Sequence, residues 1–139
     1  HQPYAGLIRL AGLGLPGKTI ETRKTRITYR GPLVIIASKR IHAEYEESGV
    51  RADLLGRHVP MAVYEGCTDL HGVAVALFDV SDCRQLARED QAAAFFYAPN
   101  RWAWCSSRIR PLTPFPVQGH QGFVRVLRAL VDGALETSP

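Results

Sequence analysis

The sequence predicts a single α+β domain, because helical patterns and strand patterns both recur along a chain of ordinary composition. Apolar residues repeat at helical spacing after Pro3, which suits the first turn of a helix, so we expect a helix over residues 3–11. The β-prone run over residues 72–80 predicts a strand. The chain has 139 residues, of which 46% are hydrophobic and 22% charged, so it can bury a core and is not predominantly disordered.

Further elements are predicted in the first half of the chain. Residues 18–23 and 33–37 are typical of strands, and the continuous apolar run of the second predicts burial on both faces. Residues 40–48 predict a charged surface helix that ends at Gly49. The mixed pattern over residues 51–70 indicates a short helix and loops.

The second half continues the alternation of helices and strands. Residues 88–95 have helical propensity. Residues 101–105 predict a strand with both tryptophans on one face, and the prolines between residues 111 and 116 are expected to end it. A short strand at Phe123 and a C-terminal helix complete the predicted order.

The stretch from Gly17 to Arg23 places one carboxylate among many cations. Eight basic residues and a single acid, Glu21, lie between Arg9 and Arg40. Alternation along a strand puts Glu21 and Arg23 on one face, and Lys18 joins them if the chain bends at Gly17. Two interpretations follow: a solvated surface ion pair, worth about 0–1 kcal/mol, or part of a functional site.

Four motifs appear in an order typical of one family. The chain begins with QPYA at Gln2, continues with Lys18, Glu21 and Arg23 in a GxKxxExR-like signature, then has RGPLVIIAS over residues 30–38 and a late tryptophan before a proline-rich turn. This order resembles the ASCH family of PUA-like domains over roughly residues 2–126. The resemblance implies a mostly antiparallel β-barrel with flanking helices. It also implies that the first strand is incomplete at His1.

The resemblance implies a binding function, since PUA-like domains generally recognise RNA or modified nucleotides in a cleft between barrel and helix. Lysine and arginine contact phosphate, an aromatic ring stacks on a base, and a carboxylate accepts hydrogen bonds from an exocyclic amino group. We therefore expect RNA, a nucleotide or a nucleoside as partner. The predicted binding residues are Gln2, Tyr4, Lys18, Glu21, Arg23, Ser38, Lys39, Trp104 and Arg108.

Two alternatives remain open. Some ASCH relatives resemble amidohydrolases of acylated cytidine, with a lysine base and a threonine nucleophile three residues later. Lys18 matches the base and Glu21 is a candidate catalytic residue, but Glu21 stands at the threonine position and Thr22 is expected to face away. RNA cleavage by Lys18 with a hydroxyl such as that of Ser38 is a further possibility. The second alternative is a protein-interaction or coactivator module.

Net charge and cysteine content restrict the classes of partner and cofactor that we expect. The net charge of +4 and the 14 arginines among 17 basic residues suit phosphate recognition, although a GC-rich genome produces the same arginine bias. Three widely spaced cysteines favour neither a disulfide framework nor a metal site, so we expect no metal, no cofactor and a cytoplasmic setting. No apolar run reaches the roughly 18 residues of a membrane span, and the oligomeric state is left open.

Overall fold

The computed structural model describes residues 1–40, 47–117, 126 and 128–136, and it confirms the α+β class. The helices are α1 (Tyr4–Gly12), α2 (Glu47–Gly56), α3 (Met61–Thr68), α4 (Gln91–Ala94) and α5 (Arg128–Ala134), with a 3-10 turn at Arg88–Asp90 before α4. The strands are β1 (Ile20–Arg23), β2 (Gly31–Ala37), β3 (Val73–Gln85) and β4 (Trp102–Pro116).

The four described strands form one antiparallel sheet in the order β1-β4-β3-β2. The long strands β3 and β4, of 13 and 15 residues, lie at its centre, and the shorter β1 and β2 are its edges. A closed barrel requires the two edge strands to pair, and in the described residues β1 and β2 do not. The antiparallel sheet is therefore confirmed, whereas the described strands form an open sheet.

The prediction that β2 is buried on both faces is confirmed only in part: Ile35 packs into one core cluster and Val34, on the other face, packs against a second. Among its residues only Ile35 and Ala37 are buried, while Leu33 and Val34 are half-buried. The reason is its position at the edge of the sheet, where it pairs with β3 alone. An apolar run by itself does not distinguish an edge strand from a central one.

The prolines do not end β4, which continues through them to Pro116. Strand β1 covers only residues 102–105 of β4, so beyond Cys105 the outer edge of β4 faces no described strand. A proline lacks an N–H and is tolerated where that N–H would point away from a paired neighbour. Pairing with β3 on the other side continues through Pro111 and Pro116.

The helices follow the predictions in part. Helix α1 matches the predicted residues 3–11, and α5 confirms a C-terminal helix. The predicted end at Gly49 is wrong because α2 continues to Gly56, while residues 41–46 and the predicted strand at Phe123 lie outside the described residues. In the described ranges, no helix has both the length and the apolar surface to cross a membrane.

Helix α1 lies between the sheet and helices α2 and α3. Ile8 packs into the core on the sheet with Phe78 of β3, whereas Leu7 and Leu10 pack with Tyr64 of α3. A helix that is apolar on both sides is expected to be enclosed, and these three α1 side chains are fully buried. The start of α1 is thereby fixed against the sheet.

Gly6 marks the closest approach of α1 to α3. A Cβ at Gly6 would lie 2.7 Å from the Cys67 carbonyl oxygen, which belongs to backbone and cannot move aside. We expect Gly6→Ala to lower the free energy of unfolding by about 1–3 kcal/mol through overpacking, measured by urea denaturation. Gly66→Ala in α3 is the control: nothing lies within 4 Å of its Cβ, and helix propensity predicts a gain of up to about 1 kcal/mol. Equal stability of wild type and Gly6→Ala would contradict the close approach.

Candidate functional site

The pairing of β1 with β4 assembles the predicted charged and aromatic residues on one face. Glu21 lies directly opposite Trp104, and Arg23 lies opposite Trp102. Directly paired residues project to the same side of a sheet, and side chains two apart along a strand share that side. The shared face predicted for Glu21 with Arg23, and for the two tryptophans, is confirmed.

The Glu21 carboxylate is held between two cations. Its Oε1 lies 3.7 Å from Lys18 Nζ and accepts the Thr22 N–H at 2.9 Å, and its Oε2 lies 3.4 Å from an Arg23 nitrogen. Burial by itself raises the pKa of Glu21, but Lys18, Arg23 and the Thr22 N–H outweigh it and hold the pKa below its usual value. Glu21 therefore remains an anion at neutral pH.

Lys18 is enclosed by protein on all sides. Its side chain is 1% exposed, and Nζ donates to the Ala94 carbonyl oxygen at 2.5 Å and lies 4.9 Å from the centre of the Tyr4 ring. Burial lowers the pKa of Lys18 to about 8, against the opposing effect of Glu21. The amine joins β1, α1 and α4 from within rather than facing solvent.

Two arginines cover the two indoles. The Arg23 guanidinium lies 5.6 Å from the centre of the Trp104 ring, and Arg26 lies at the same distance from Trp102. Trp104 is 5% exposed and donates its Nε1–H to the Thr25 carbonyl oxygen at 3.0 Å, so it serves as a support for Arg23. The guanidinium groups are therefore exposed to solvent, and the aromatic rings lie beneath them.

These arginines belong to a surface that we name the basic strip, composed of Arg23, Lys24, Arg26 and Arg30. All four side chains are exposed, and no acidic residue interrupts them along the chain. Arg30 lies 3.9 Å from Asp82, whereas in the described part of the chain no carboxylate pairs with Lys24 or Arg26. The sequence contained no signal that Arg26 would stack on Trp102, since Arg26 follows the end of β1.

Gln2 is a buried brace. Its Nε2 donates to the carbonyl oxygens of Cys67 at 3.0 Å and Leu70 at 2.7 Å, and its Oε1 accepts the Gly6 N–H at 2.9 Å. Both amide hydrogens are used, and the side chain is nearly inaccessible. Gln2 therefore fixes the start of α1, which carries Tyr4.

Ser38 and Lys39 lie where β2 ends. The Ser38 hydroxyl forms hydrogen bonds with the Arg40 N–H and carbonyl, each at 3.2 Å, and the Lys39 stem lies close to Gly72. The Arg40 carbonyl in turn accepts the Gln2 N–H at 3.1 Å. The end of β2 is thus joined to the start of α1. Ser38 contacts Arg40 and Lys39 lies near Gly72, so neither side chain takes part in the cluster around Glu21.

Arg108 lies apart from the Lys18 cluster. It is an exposed residue of β4 opposite Asp79, four residues beyond Trp104, which corresponds to about 13 Å along a strand. The structure therefore brings together Tyr4, Lys18, Glu21, Arg23 and Trp104 from the predicted set, and it does not bring Arg108 to them.

A groove that the sequence did not reveal is lined by Tyr4, whose ring contacts Lys18. It has a volume of about 760 Å³ and is formed by the start of α1, helix α2 and residues 88–97. Four aromatic residues line it: Tyr4, Phe95, Phe96 and Tyr97. The only available signal was the run of three aromatic residues after α4, which by itself is equally typical of a core.

Comparison with known proteins adds no family assignment. A scan against protein-family models finds no match to this chain. A search of curated proteins finds no significant relative. The resemblance to the ASCH family thus stays a prediction based on its motifs. Within the described residues, no cluster of histidine, cysteine, aspartate and glutamate is arranged to hold a metal ion.

The lowered pKa of Lys18 predicts a pH dependence of stability. Between about pH 8 and pH 10.5 the unfolded chain binds more protons at this lysine than the folded chain, so the free energy of unfolding rises with pH there. The slope is at most about 1.4 kcal/mol per pH unit for one proton. Chemical denaturation across this range should show the rise in wild type and in the exposed-lysine control Lys39→Met, but not in Lys18→Met. Parallel profiles for wild type and Lys18→Met would contradict the assignment.

Proposed function

We propose that this chain is an RNA- or nucleotide-binding module that contacts phosphates through the basic strip. The observation that supports it most directly is the position of the Arg23 and Arg26 guanidinium groups, each 5.6 Å from the centre of a tryptophan ring, next to Lys24, which pairs with no carboxylate of the described residues. A guanidinium held against a ring is already oriented, so less conformational entropy is lost when it binds a phosphate.

The charge distribution supports an anionic partner. The basic strip has four cations within eight residues, and the neighbouring carboxylate of Glu21 is already engaged by Lys18 and Arg23. Phosphate contacts of this kind supply affinity without reading sequence. The motifs that resemble the ASCH family agree, since PUA-like domains generally recognise RNA or modified nucleotides.

The strip is tested by the salt dependence of RNA binding. Affinity for a labelled single-stranded RNA, measured by fluorescence anisotropy, should fall as salt rises. Arg26→Ala should weaken binding and reduce the slope of log Kobs against log salt by about 0.7, the value for one lost phosphate contact on a single strand. Arg128→Ala is the matched control, because this guanidinium is 93% exposed on α5 and belongs to no part of the strip.

Two outcomes would refute the strip as the RNA-binding surface. One is an affinity that does not change with salt, because phosphate contacts always release counterions. The other is an equal loss of slope in Arg26→Ala and Arg128→Ala, which would indicate a response to net charge alone.

A hydrolase acting on RNA or a modified nucleoside is the second candidate function. The observation in its favour is the lowered pKa of Lys18, about 8, which leaves part of the amine neutral near physiological pH, whereas its enclosure weighs against direct contact with a substrate. Glu21 at 3.7 Å is the neighbouring carboxylate. The register of β1 turns Thr22 to the opposite face from Glu21, so Thr22 is not the nucleophile of this reaction.

The hydrolase is tested by product analysis. Wild-type protein incubated with a panel of RNAs and acylated nucleosides should give a product by mass spectrometry, and Lys18→Ala should abolish it while Arg128→Ala, at an exposed position on α5, retains it. If wild-type protein leaves the whole panel unchanged, the catalytic function is rejected and the binding function stands alone.

A further inference from the structure

The groove beside Lys18 has a wall made of three consecutive aromatic residues. Each ring has a guanidinium close to its centre: Arg57 lies at 5.0 Å from Phe95, Arg101 at 5.7 Å from Phe96 and Arg88 at 4.9 Å from Tyr97. The Tyr4 ring completes the lining and meets Phe96 edge to face at 6.3 Å. Planar groups therefore dominate this surface, and planar groups stack on heteroaromatic rings.

The wall is anchored by the two residues that precede β1. Lys18 Nζ donates to the Ala94 carbonyl oxygen at 2.5 Å, and the Thr19 N–H donates to the Ala93 carbonyl oxygen at 2.9 Å. Phe95 then takes a left-handed conformation with φ of 56°, which is uncommon outside glycine and ends α4. The three rings thus extend from a backbone that is fixed at both preceding residues.

The charges of the groove are closer to balance than those of the basic strip. Two arginines and two acids line it, and Arg101 adds one positive charge beside the Phe96 ring. Arg57 is already bound by both carboxylate oxygens of Asp53, at 2.8 and 2.9 Å. A polyanion therefore meets a smaller surplus of positive charge here than on the basic strip. An uncharged planar ring loses little solvation on entry and gains stacking, so it is the guest that this lining favours.

The size and the hydrogen-bonding groups of the groove agree with such a guest. Its volume of about 760 Å³ falls within the range of about 300–1,000 Å³ common for small-molecule sites. The exposed Gln91 side chain lies at its rim, and its amide can pair with the edge of a base. Among the described residues, this amide forms no hydrogen bond with protein.

We infer that this groove binds a nucleobase, presented either by a free nucleoside or by an unpaired position of single-stranded RNA. The inference deepens the proposed function, and its RNA form depends on that function. The nucleoside form does not, since an uncharged nucleoside needs no contact with the basic strip.

The experiment measures binding of the four uncharged ribonucleosides by calorimetry at low and high salt. At least one should bind with an affinity that does not change with salt. Tyr97→Ala should weaken that binding about tenfold or more, because it removes one stacking surface. Tyr29→Ala is the matched aromatic control: its ring is 45% exposed and outside the groove, so binding should be unchanged. If Tyr97→Ala fails to fold by circular dichroism, the exposed Gln91→Ala and Arg88→Ala replace it, with the same direction of effect.

The source of the base is decided with two RNAs of equal length, one complete and one abasic. A preference for the complete strand that disappears in the groove variants identifies RNA as the source, whereas nucleoside binding without such a preference identifies the free nucleoside. If no nucleoside binds and the two strands bind equally, the groove inference is overturned, while a salt-dependent affinity for both strands would leave the basic strip intact. If nucleosides bind and neither strand does, the groove stands and the RNA function fails.

Discussion

The buried amine of Lys18 is the interaction on which the rest of the site depends. Enclosing a lysine removes its hydration, and the cost is offset only because a carboxylate, a carbonyl oxygen and an aromatic face surround Nζ. These partners come from β1, α4 and α1, and the Lys18 N–H also donates to the Leu7 carbonyl oxygen at 2.8 Å. Lys18 therefore fixes the positions of β1, α1 and the end of α4 relative to one another.

Two surfaces with different electrostatics meet at this lysine. Through Glu21 it is linked to Arg23 and the basic strip, where positive charge is in excess. Through Ala94 and Tyr4 it is linked to the groove, where the excess of positive charge is smaller and aromatic rings form most of the wall. Phosphates favour the first environment and bases favour the second. Our two proposals therefore describe one class of ligand, whose phosphates contact the basic strip and whose base occupies the groove.

Local pattern predicted the parts of the fold that depend on local geometry. The spacing after Pro3 identified α1, and alternation identified the shared face of Glu21 with Arg23, because both follow from backbone periodicity alone. The patterns failed where a neighbour decided the outcome. β2 was expected to be buried on both faces but is an edge strand with several half-buried residues, and β4 was expected to end at the prolines but continues, because each result depends on which strand lies alongside.

The sequence alone determined the residue types, their periodicity and the excess of arginine. These in turn determined the α+β class and the chemical groups available to the site. Tertiary structure alone decided that Lys18 is enclosed, that Arg26 covers Trp102 and that three successive rings line a groove with Tyr4. The physical reason is that burial and stacking depend on contacts between residues far apart in the chain. Such contacts leave no period in the sequence, whereas a helix or a strand does.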